Sequence, residues 1–532
     1  MKLATAGEMA AIDRCAAGRF GVTVSKLMEN AGRCTAAAAV LLLGSARGRR
    51  VALFCGRGNN GGDGLVAARL LLEGGALPRV ILVGTPDDLR SDARRAFDAA
   101  RVAGVEITAC PDHSALESAR ESACSADLAV DALLGTGFVP PARDLSAAAI
   151  RLVNSLGIPV LAVDIPSGLS ADHGRMTGDA VRATATVTFG FPKPGLVLHP
   201  GARHVGRLWL ADIGFPAATE SLVAGELNLS TERDLAPHLA PRDPESHKGT
   251  FGHVVLVAGS PGLAGAAALA ARGALRAGAG LVTAALPASI APPYLPGLPE
   301  AMLLPLPDDA TGAVGPTASA LIQERLFRAG TLAVGPGLSR SAGSARLVRE
   351  LCSLAETPLV LDADALNALA GAGPEATAGR RVAAVLTPHP GEIARLLGTS
   401  AAEVQADRVA AARSCAERFH AVVVLKGSRT VVAPPGGSAW INPTGNPGMA
   451  AAGMGDVLTG VIAAHLARGM SPLVAALLGV YLHGLAGDLA AAAAGPWGIL
   501  ASEVADLVPA AVRSLQNRDG RVEDAKLALL VP

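Results

Sequence analysis

Short apolar runs ending in glycine or an acid alternate along the chain with longer stretches of helical apolar spacing. Residues 3–42 carry Met9, Ile12 and Cys15 at helical intervals, then a Gly18–Gly21 break, then LMENAGRCTAAAAVLLL, which predicts two helices. The run Arg50-Val-Ala-Leu-Phe-Cys55 reads as a strand, followed by a glycine loop and the helix LVAARLLLEGG. Further strands are predicted at 79–83, 105–109, 126–134, 159–164, 183–190 and 207–211, with helices at about 91–103 and 145–156. Over 214–250 the chain turns polar and proline-bearing without a long periodic run, which places a domain boundary near residue 220. The pattern then starts afresh, with strands at 253–258, 281–286, 331–334, 358–364, 382–387 and 421–426 and two alanine-rich helices at about 456–469 and 472–494. Strands alternating with helices predict an α/β protein of two three-layer αβα domains, 1–220 and 225–532, the second with about eight strands.

Composition supports that picture and narrows the function. Half of the 532 residues are apolar, 17% are charged and 3% are aromatic, which suits small-residue helices packed on parallel strands. The formal net charge is zero and the pI about 7.2. With no basic stripe, a nucleic-acid partner is not expected. Seven scattered cysteines without a CxxC or zinc spacing read as reduced thiols of a cytoplasmic protein. The N-terminus lacks an apolar h-region and the most apolar windows are short, so neither a leader nor a membrane span is expected.

Candidate chemistry gathers at predicted strand ends. In the first half GRGNNGGDG follows a strand and opens a helix, where a phosphate-binding turn belongs; it fits neither the usual dinucleotide fingerprint nor a Walker loop. Asn59 and Asn60, Asp131 with Gly135-Thr136-Gly137, and Asp164 with Ser167 all fall at carboxyl ends of predicted parallel strands. Their amide, carboxylate and hydroxyl oxygens would suit a monovalent or divalent cation. In the second half Asn442–Gly460, NPTGNPGMAAAGMGDVLTG, reads as a glycine turn feeding a helix with Asp456 at its N-terminus. Free N–H groups there would face a phosphate, and the carboxylate could accept a hydroxyl proton. GPGLS (335–339), HPGE (389–392) and KGSRT (426–430) add backbone, an imidazole and a cation. The Lys426 head group is expected to leave the core. Asp362 and Asp364 either hold magnesium or merely end their strand.

LMENAG, GRGNNGGDG, DALLGTG, DIPSG and FPKPG, in that order over residues 1–215, resemble the NAD(P)H-hydrate epimerase domain of metabolite-repair proteins, with a Rossmann-like fold. The resemblance implies that Asn59, Asn60, Gly61, Gly62 and Asp63 line the site for the hydrated dinucleotide. So would Gly135, Thr136, Gly137, Phe138, Val139, Pro140 and Pro141, with Asp164 as acid/base. It also implies potassium held by Asn60, Asp131 and Ser167, with Lys193 either a second polar contributor or a solvated loop lysine.

Residues from about 225 onward are similar to the ribokinase-like superfamily, and within it to the ADP-dependent NAD(P)H-hydrate dehydratases. The carriers are KGTFG, GSPGLAGAAALAARGALRAGAGLV, GPGL, LDADALNAL, LTPHPGEIARLLG, LKGSRTVV and GNPGMAAAGMGDVLTG. This implies phosphoryl transfer from ADP or ATP to the hydrate's hydroxyl, Asp456 removing the proton, and then loss of phosphate. Ala266, Gly337, His389 and Asp456 would contact the hydrate; Lys426, Gly427, Ser428, Arg429, Thr430 and Gly455 would bind the adenine nucleotide, with magnesium expected beside it. Met454 stands where many relatives carry threonine, which removes a hydroxyl but not the backbone donors. The other reading is a ribokinase-like kinase of a small hydroxymethyl substrate, whose first half is a non-catalytic binding domain. The partners expected are hydrated NADH or NADPH, an adenine nucleotide and further copies of the chain.

Overall fold

The computed structural model describes every residue except 90, 292–297, 327–329, 355, 518–526 and 532. Contacts divide the chain into two units. One comprises Lys2–Gly225 with Asp519–Pro532, the other Met1 with Glu226–Arg518.

In the first unit the break predicted near Gly21 separates α1 (Ala6–Phe20) from α2 (Val24–Leu43). Gly21 takes φ 67° at the C-cap of α1, and the Thr23 hydroxyl caps α2. The strands are β1 (Arg50–Cys55), β2 (Leu77–Val83), β3 (Glu106–Cys110), β4 (Leu128–Ala132), β5 (Val160–Val163), β6 (Ala185–Phe189) and β7 (Arg207–Ala211). Along β1, Val51, Leu53 and Cys55 enter one hydrophobic cluster while Ala52 and Phe54 enter another. A strand buried on both faces must be apolar throughout, which is why RVALFC does not alternate with polar residues. The sheet order is β18-β7-β6-β5-β4-β1-β2-β3, parallel except for β18 (Leu527–Val531) against β7. That last strand was not among the expected elements, and it departs from the expected 225–532 domain, because nothing local says which sheet edge LALLV joins. Strand order reverses between β1 and β4, which leaves a crevice beyond their carboxyl ends. From β1 the chain enters α3 (Asn59–Glu73).

The second unit's strands are β8 (Leu227–Leu229), β9 (His253–Val257), β10 (Leu281–Pro287), β11 (Met302–Leu306), β12 (Thr331–Val334), β13 (Leu359–Leu361), β14 (Val385–Leu386), β15 (Val422–Leu425), β16 (Val431–Ala433) and β17 (Ala439–Ile441). They form one ten-stranded sheet, β11-β10-β9-β12-β13-β14-β15-β16-β17-β8, parallel from β11 to β15. The extra strands relative to expectation include β8, β16 and β17. They are short, and β8 lies in the stretch read as a linker.

Four helices pack on one face: α4 (Ala264–Arg276), α6 (Met454–Ala467), α7 (Pro472–Ala494) and α8 (Ala501–Gln516). The short α5 (Pro390–Leu397) follows β14. α8 carries a proline, Pro509, and was not among the expected elements. α7 is long and apolar enough to cross a bilayer, with mean hydropathy 1.6, but 67% of that window is buried inside the fold, which makes it a core helix. The alanine and glycine content has a packing reason. A Cβ on Gly460 of α6 would lie 1.9 Å from the Ala270 carbonyl oxygen of α4, and one on Gly273 2.4 Å from that of Val457. The two backbones touch, and this fixes where α6 begins.

Candidate functional site

Each unit places a group of acids around one lysine at the carboxyl ends of its parallel strands. In the first unit, β1 runs through Gly56 into α3, whose first turn carries Asn59, Asn60, Gly61, Gly62 and Asp63. The glycines are steric requirements. A Cβ on Gly61 would stand 1.9 Å from the Gly56 carbonyl oxygen, and one on Gly62 2.6 Å from Met28 Cε. Asn60 is buried, and neither its Oδ1 nor its Nδ2 has a partner. Such an orphan is costly unless a ligand completes it.

Asp131, at the end of β4, accepts hydrogen bonds from the Ser167 N–H at 2.8 Å and the Ser167 hydroxyl at 2.6 Å. Burial raises its carboxyl to about 6 although those bonds pull the other way. The loop Gly135, Thr136, Gly137, Phe138, Val139, Pro140 and Pro141 follows β4. A Cβ on Gly135 would come within 3.3 Å of Asn60, and Val139 is an exposed tip.

Asp164 follows β5 in the left-handed region, φ 64°, a strained placement that aims a carboxylate without a helix behind it. Its Oδ1 accepts from Lys193 Nζ at 2.5 Å. The ammonium also donates to Thr188 Oγ1 at 2.9 Å and the Phe189 carbonyl at 3.1 Å. Lys193 is only 1% exposed, which decides against a solvated loop lysine. Two further acids face this pair. Asp63 is buried and raised well above the carboxylate range, first by desolvation and then by the charges of Asp164 and Asp13. Asp13, on α1, is raised by desolvation and by Asp164. Asp13 carries no motif signal; only the return of α1 to the strand ends brings it here.

In the second unit the strand order reverses between β9 and β12, and the loops after them close on each other. The Gly259 N–H donates to the Pro336 carbonyl at 2.8 Å, and the Ser260 hydroxyl to the Gly337 carbonyl at 2.8 Å. Gly337 has φ 59°, and a Cβ there would meet Ala266 at 3.1 Å, so Gly337 and Ala266 are brought together.

The glycine turn of residues 445–455 opens α6 with Gly453 at the N-cap, φ 87°, and no side-chain cap. The first N–H groups of α6 therefore stay open to an anion. Asp456 lies in that first turn. Its carboxyl is raised to about 7, first by desolvation and then by the charge of Asp362, with Lys426 pulling the other way.

The Lys426 head group reaches the strand ends, 20% exposed, but does not stand free there. Its Nζ lies 2.6 Å from Asp362 Oδ1 and 3.9 Å from Glu392 Oε2, and a Cβ on Gly455 would be 3.3 Å from it. Burial opposes the ammonium, but the charges of Asp362, Glu392 and Asp456 hold its pKa above the usual lysine value. The rest of the loop, Gly427, Ser428, Arg429 and Thr430, turns into β16. Gly427 and Arg429 have φ 140° and 56°, and Thr430 donates to the Gly427 carbonyl at 2.9 Å. Arg408 braces this loop through the Leu425 carbonyl at 3.0 Å; burial lowers its pKa to about 10.

His389 has two duties. Its Nδ1 accepts from the Gly391 and Glu392 N–H groups and so caps α5, while Nε2 lies 3.4 Å from Glu392 Oε1 on an exposed side. Desolvation lowers its pKa and raises that of Glu392. Asp364 accepts from the Ser339 N–H at 3.0 Å, so it braces the GPGLS loop. Among the described residues no group of three or more His, Cys, Asp or Glu forms a metal-binding cluster.

Comparison with known proteins matches both units. Residues 24–195 match the family of the YjeF-related protein N-terminus, and residues 254–510 the NAD(P)H-hydrate dehydratase family. The chain is 46% identical over 518 residues to the bifunctional NAD(P)H-hydrate repair enzyme Nnr of Moorella thermoacetica, covering 97% of this chain and 98% of that one. It is 38% identical to its counterpart in Escherichia coli, over 92% and 90% of the two chains. Among solved structures, the ADP/ATP-dependent NAD(P)H-hydrate dehydratase of Bacillus subtilis, co-crystallised with ATP and Mg2+, is 33% identical. It covers 54% of this chain and 98% of its own, with TM-score 0.47.

Proposed function

The chain belongs to the bifunctional NAD(P)H-hydrate repair enzymes, and from that premise we propose how its two sites divide the work. It is an NAD(P)H-hydrate epimerase and an adenine-nucleotide-dependent NAD(P)H-hydrate dehydratase in one chain. The alternative of a small-alcohol kinase with an inert first half has no support from relatives that match across both units.

The single observation carrying the dehydratase mechanism is the place of Asp456 in the first turn of an uncapped helix whose Gly455 lies against Lys426, where burial raises its carboxyl. Asp456 takes the proton of the hydrate's hydroxyl as that oxygen attacks the terminal phosphorus of ADP or ATP. The N–H groups of α6 and the Lys426 ammonium take up negative charge on the transferred group. In the second step the C–O bond breaks and phosphate leaves with its electron pair. A proton is lost from the neighbouring ring carbon, and the double bond re-forms. Hydroxide leaves poorly and phosphate well, which is why a nucleotide is consumed. Ala266, Gly337 and the Nε2 side of His389 contact the hydrate; Lys426 to Thr430 and Gly455 hold the nucleotide.

Asp362 and Asp364 do not fit a magnesium site. The oxygens of Asp362 are engaged by Lys426, Thr387 and Thr459, and Asp364 by Ser339, Arg340 and Asn367. Magnesium therefore arrives on the nucleotide's phosphates, and no step is assigned to it.

In the first unit Asn59 to Asp63 and Gly135 to Pro141 line the epimerase site, and Asp164, held by Lys193, contacts the reacting carbon's hydroxyl. Potassium fits there: Asn60 Oδ1 lacks a partner, and the Asp131 carboxylate and Ser167 hydroxyl supply hard oxygens. When bound it would supply a fixed positive charge beside the substrate site. Both NADH hydrate and NADPH hydrate are substrates in this reading, which the relatives' NAD(P)H-hydrate activity supports. The deciding assay incubates the protein with hydrated NADH, ADP and Mg2+, and follows the absorbance of regenerated NADH. Phosphorylation of a pyrimidine alcohol in place of regeneration would overturn this assignment.

A further inference from the structure

Asp362 ends β13 and is 1% exposed, yet it binds groups from three other elements. Its Oδ1 accepts from Lys426 Nζ at 2.6 Å, beyond β15, and from Thr387 Oγ1 at 2.8 Å, beyond β14. Its Oδ2 accepts from Thr459 Oγ1 at 2.8 Å, on α6. Thr459 lies three residues after Asp456 and so shares its helix face. The backbone around Asp362 is tightly held. A Cβ on Gly335, φ 126°, would stand 1.8 Å from the Asp362 carbonyl oxygen, and Ala363 next to it takes φ 48°. Strain of this kind persists only where the surroundings over-determine it. A carboxylate so enclosed has no face for substrate.

We propose that Asp362 is the positioning residue of the dehydratase site. It fixes the Lys426 ammonium at the mouth of α6 and ties the helix that carries Asp456 to the ends of β13, β14 and β15. With Lys426 neutralised by Asp362, the lysine does not pair with Asp456, and the base is left free for the hydroxyl proton. This rests on Asp456 being the base. The charged groups around the base are Asp362 from β13 and Lys426 from beyond β15. Glu392 and His389, at the start of α5, act through Lys426. Two groups lie on α7: His483, whose pKa burial lowers to about 4, and Asp488, which accepts from the Gly445 N–H and the Asn446 amide.

The test uses the full chain and follows NADH regeneration against pH. Asp362→Asn keeps the shape and one acceptor oxygen but removes the charge and makes the other position a donor, to which the Thr459 hydroxyl can turn as acceptor. It is expected to lower kcat on the order of 10²-fold and to move the acid limb of the kcat profile down by roughly one pH unit, because Asp456 loses a repelling neighbour and gains an unneutralised lysine. Thr459→Val keeps the charge and cuts the tie to α6, so kcat should fall with the limb in place. Asp362→Glu should restore the limb's position. A limb that stays put in Asp362→Asn, with kcat falling only as far as the folded fraction falls, overturns the proposal. Asp456→Asn is run alongside: if it retains regeneration, the assignment of the base fails instead, whatever Asp362→Asn does.

Discussion

Each unit sets one lysine among three carboxylates at the ends of parallel strands, and the two arrangements differ in which acid the lysine holds. In the first, Lys193 grips Asp164, the acid assigned to chemistry, while Asp63 and Asp13 are pushed upward by burial and by Asp164. In the second, Lys426 grips Asp362, which is assigned no chemistry, and Asp456 is left with a carboxyl near 7. Both reactions need a proton moved, but on different terms. Epimerisation returns the substrate to its own oxidation and charge state, so an acid and its cation held together can serve as a reversible pair. Phosphoryl transfer removes a proton for good, and a base already paired to an ammonium would be a weak one. The same residue types produce two chemistries because the strand ends deliver the lysine to different partners.

The sharpest way to break this comparison is to remove each working acid. Asp456→Asn is expected to lower NADH regeneration on the order of 10²–10⁴-fold while chromatography shows epimer exchange intact. Loss of both in a folded variant would sink the independence of the two sites. Next in size is Lys193→Met, which leaves Asp164 buried without its cation and should cost the first unit about 3–5 kcal/mol. Adding Asp164→Asn should recover much of that in a thermal or urea melt but none of the epimerase rate.

A third contrast is pH. Regeneration should rise as pH passes through about 7, because Asp456 must ionise. The folded carboxyl is raised above its unfolded value of 3.8, so ionising it opposes folding. Its penalty is absent below the unfolded value and complete above about 7. Asp456→Asn should therefore raise the melting temperature at pH 8 and leave it unchanged at pH 4. An equal gain at both would show that the carboxylate is not strained by ionisation. In the first unit Asp131, raised by burial to about 6, belongs to the proposed potassium site. Potassium stimulation of epimer exchange should fade as pH falls below about 6, since protons and the cation compete for it. The smallest effect expected is from Thr387→Val, which removes one bond to Asp362 and should lower stability by about 1 kcal/mol.

Much of the fold was legible because its signals are local. The Gly21 break needs a left-handed residue, RVALFC needs two buried faces, and the glycine turn before α6 needs backbone no side chain allows. β8 and β18 were not among the expected strands, because a short run such as LNL carries little signal of its own and none about the edge it joins. The small residues suited helices packed tightly on strands, but nothing local said that Gly273 and Gly460 bring α4 and α6 into contact.

The sequence by itself determined which residues could do chemistry: Asn60, Asp131, Asp164 and Lys426 stand at legible strand ends and Asp456 in a glycine turn that opens a helix, while Lys193 came only from the family resemblance. The tertiary structure decided what each of them does. Whether Lys193 is solvated or buried, whether Lys426 stands free or pairs with Asp362, and whether Asp13 joins the first site depend on contacts between residues far apart in the chain. Charge and burial act through space, and protonation at these sites is set by neighbours that no motif contains.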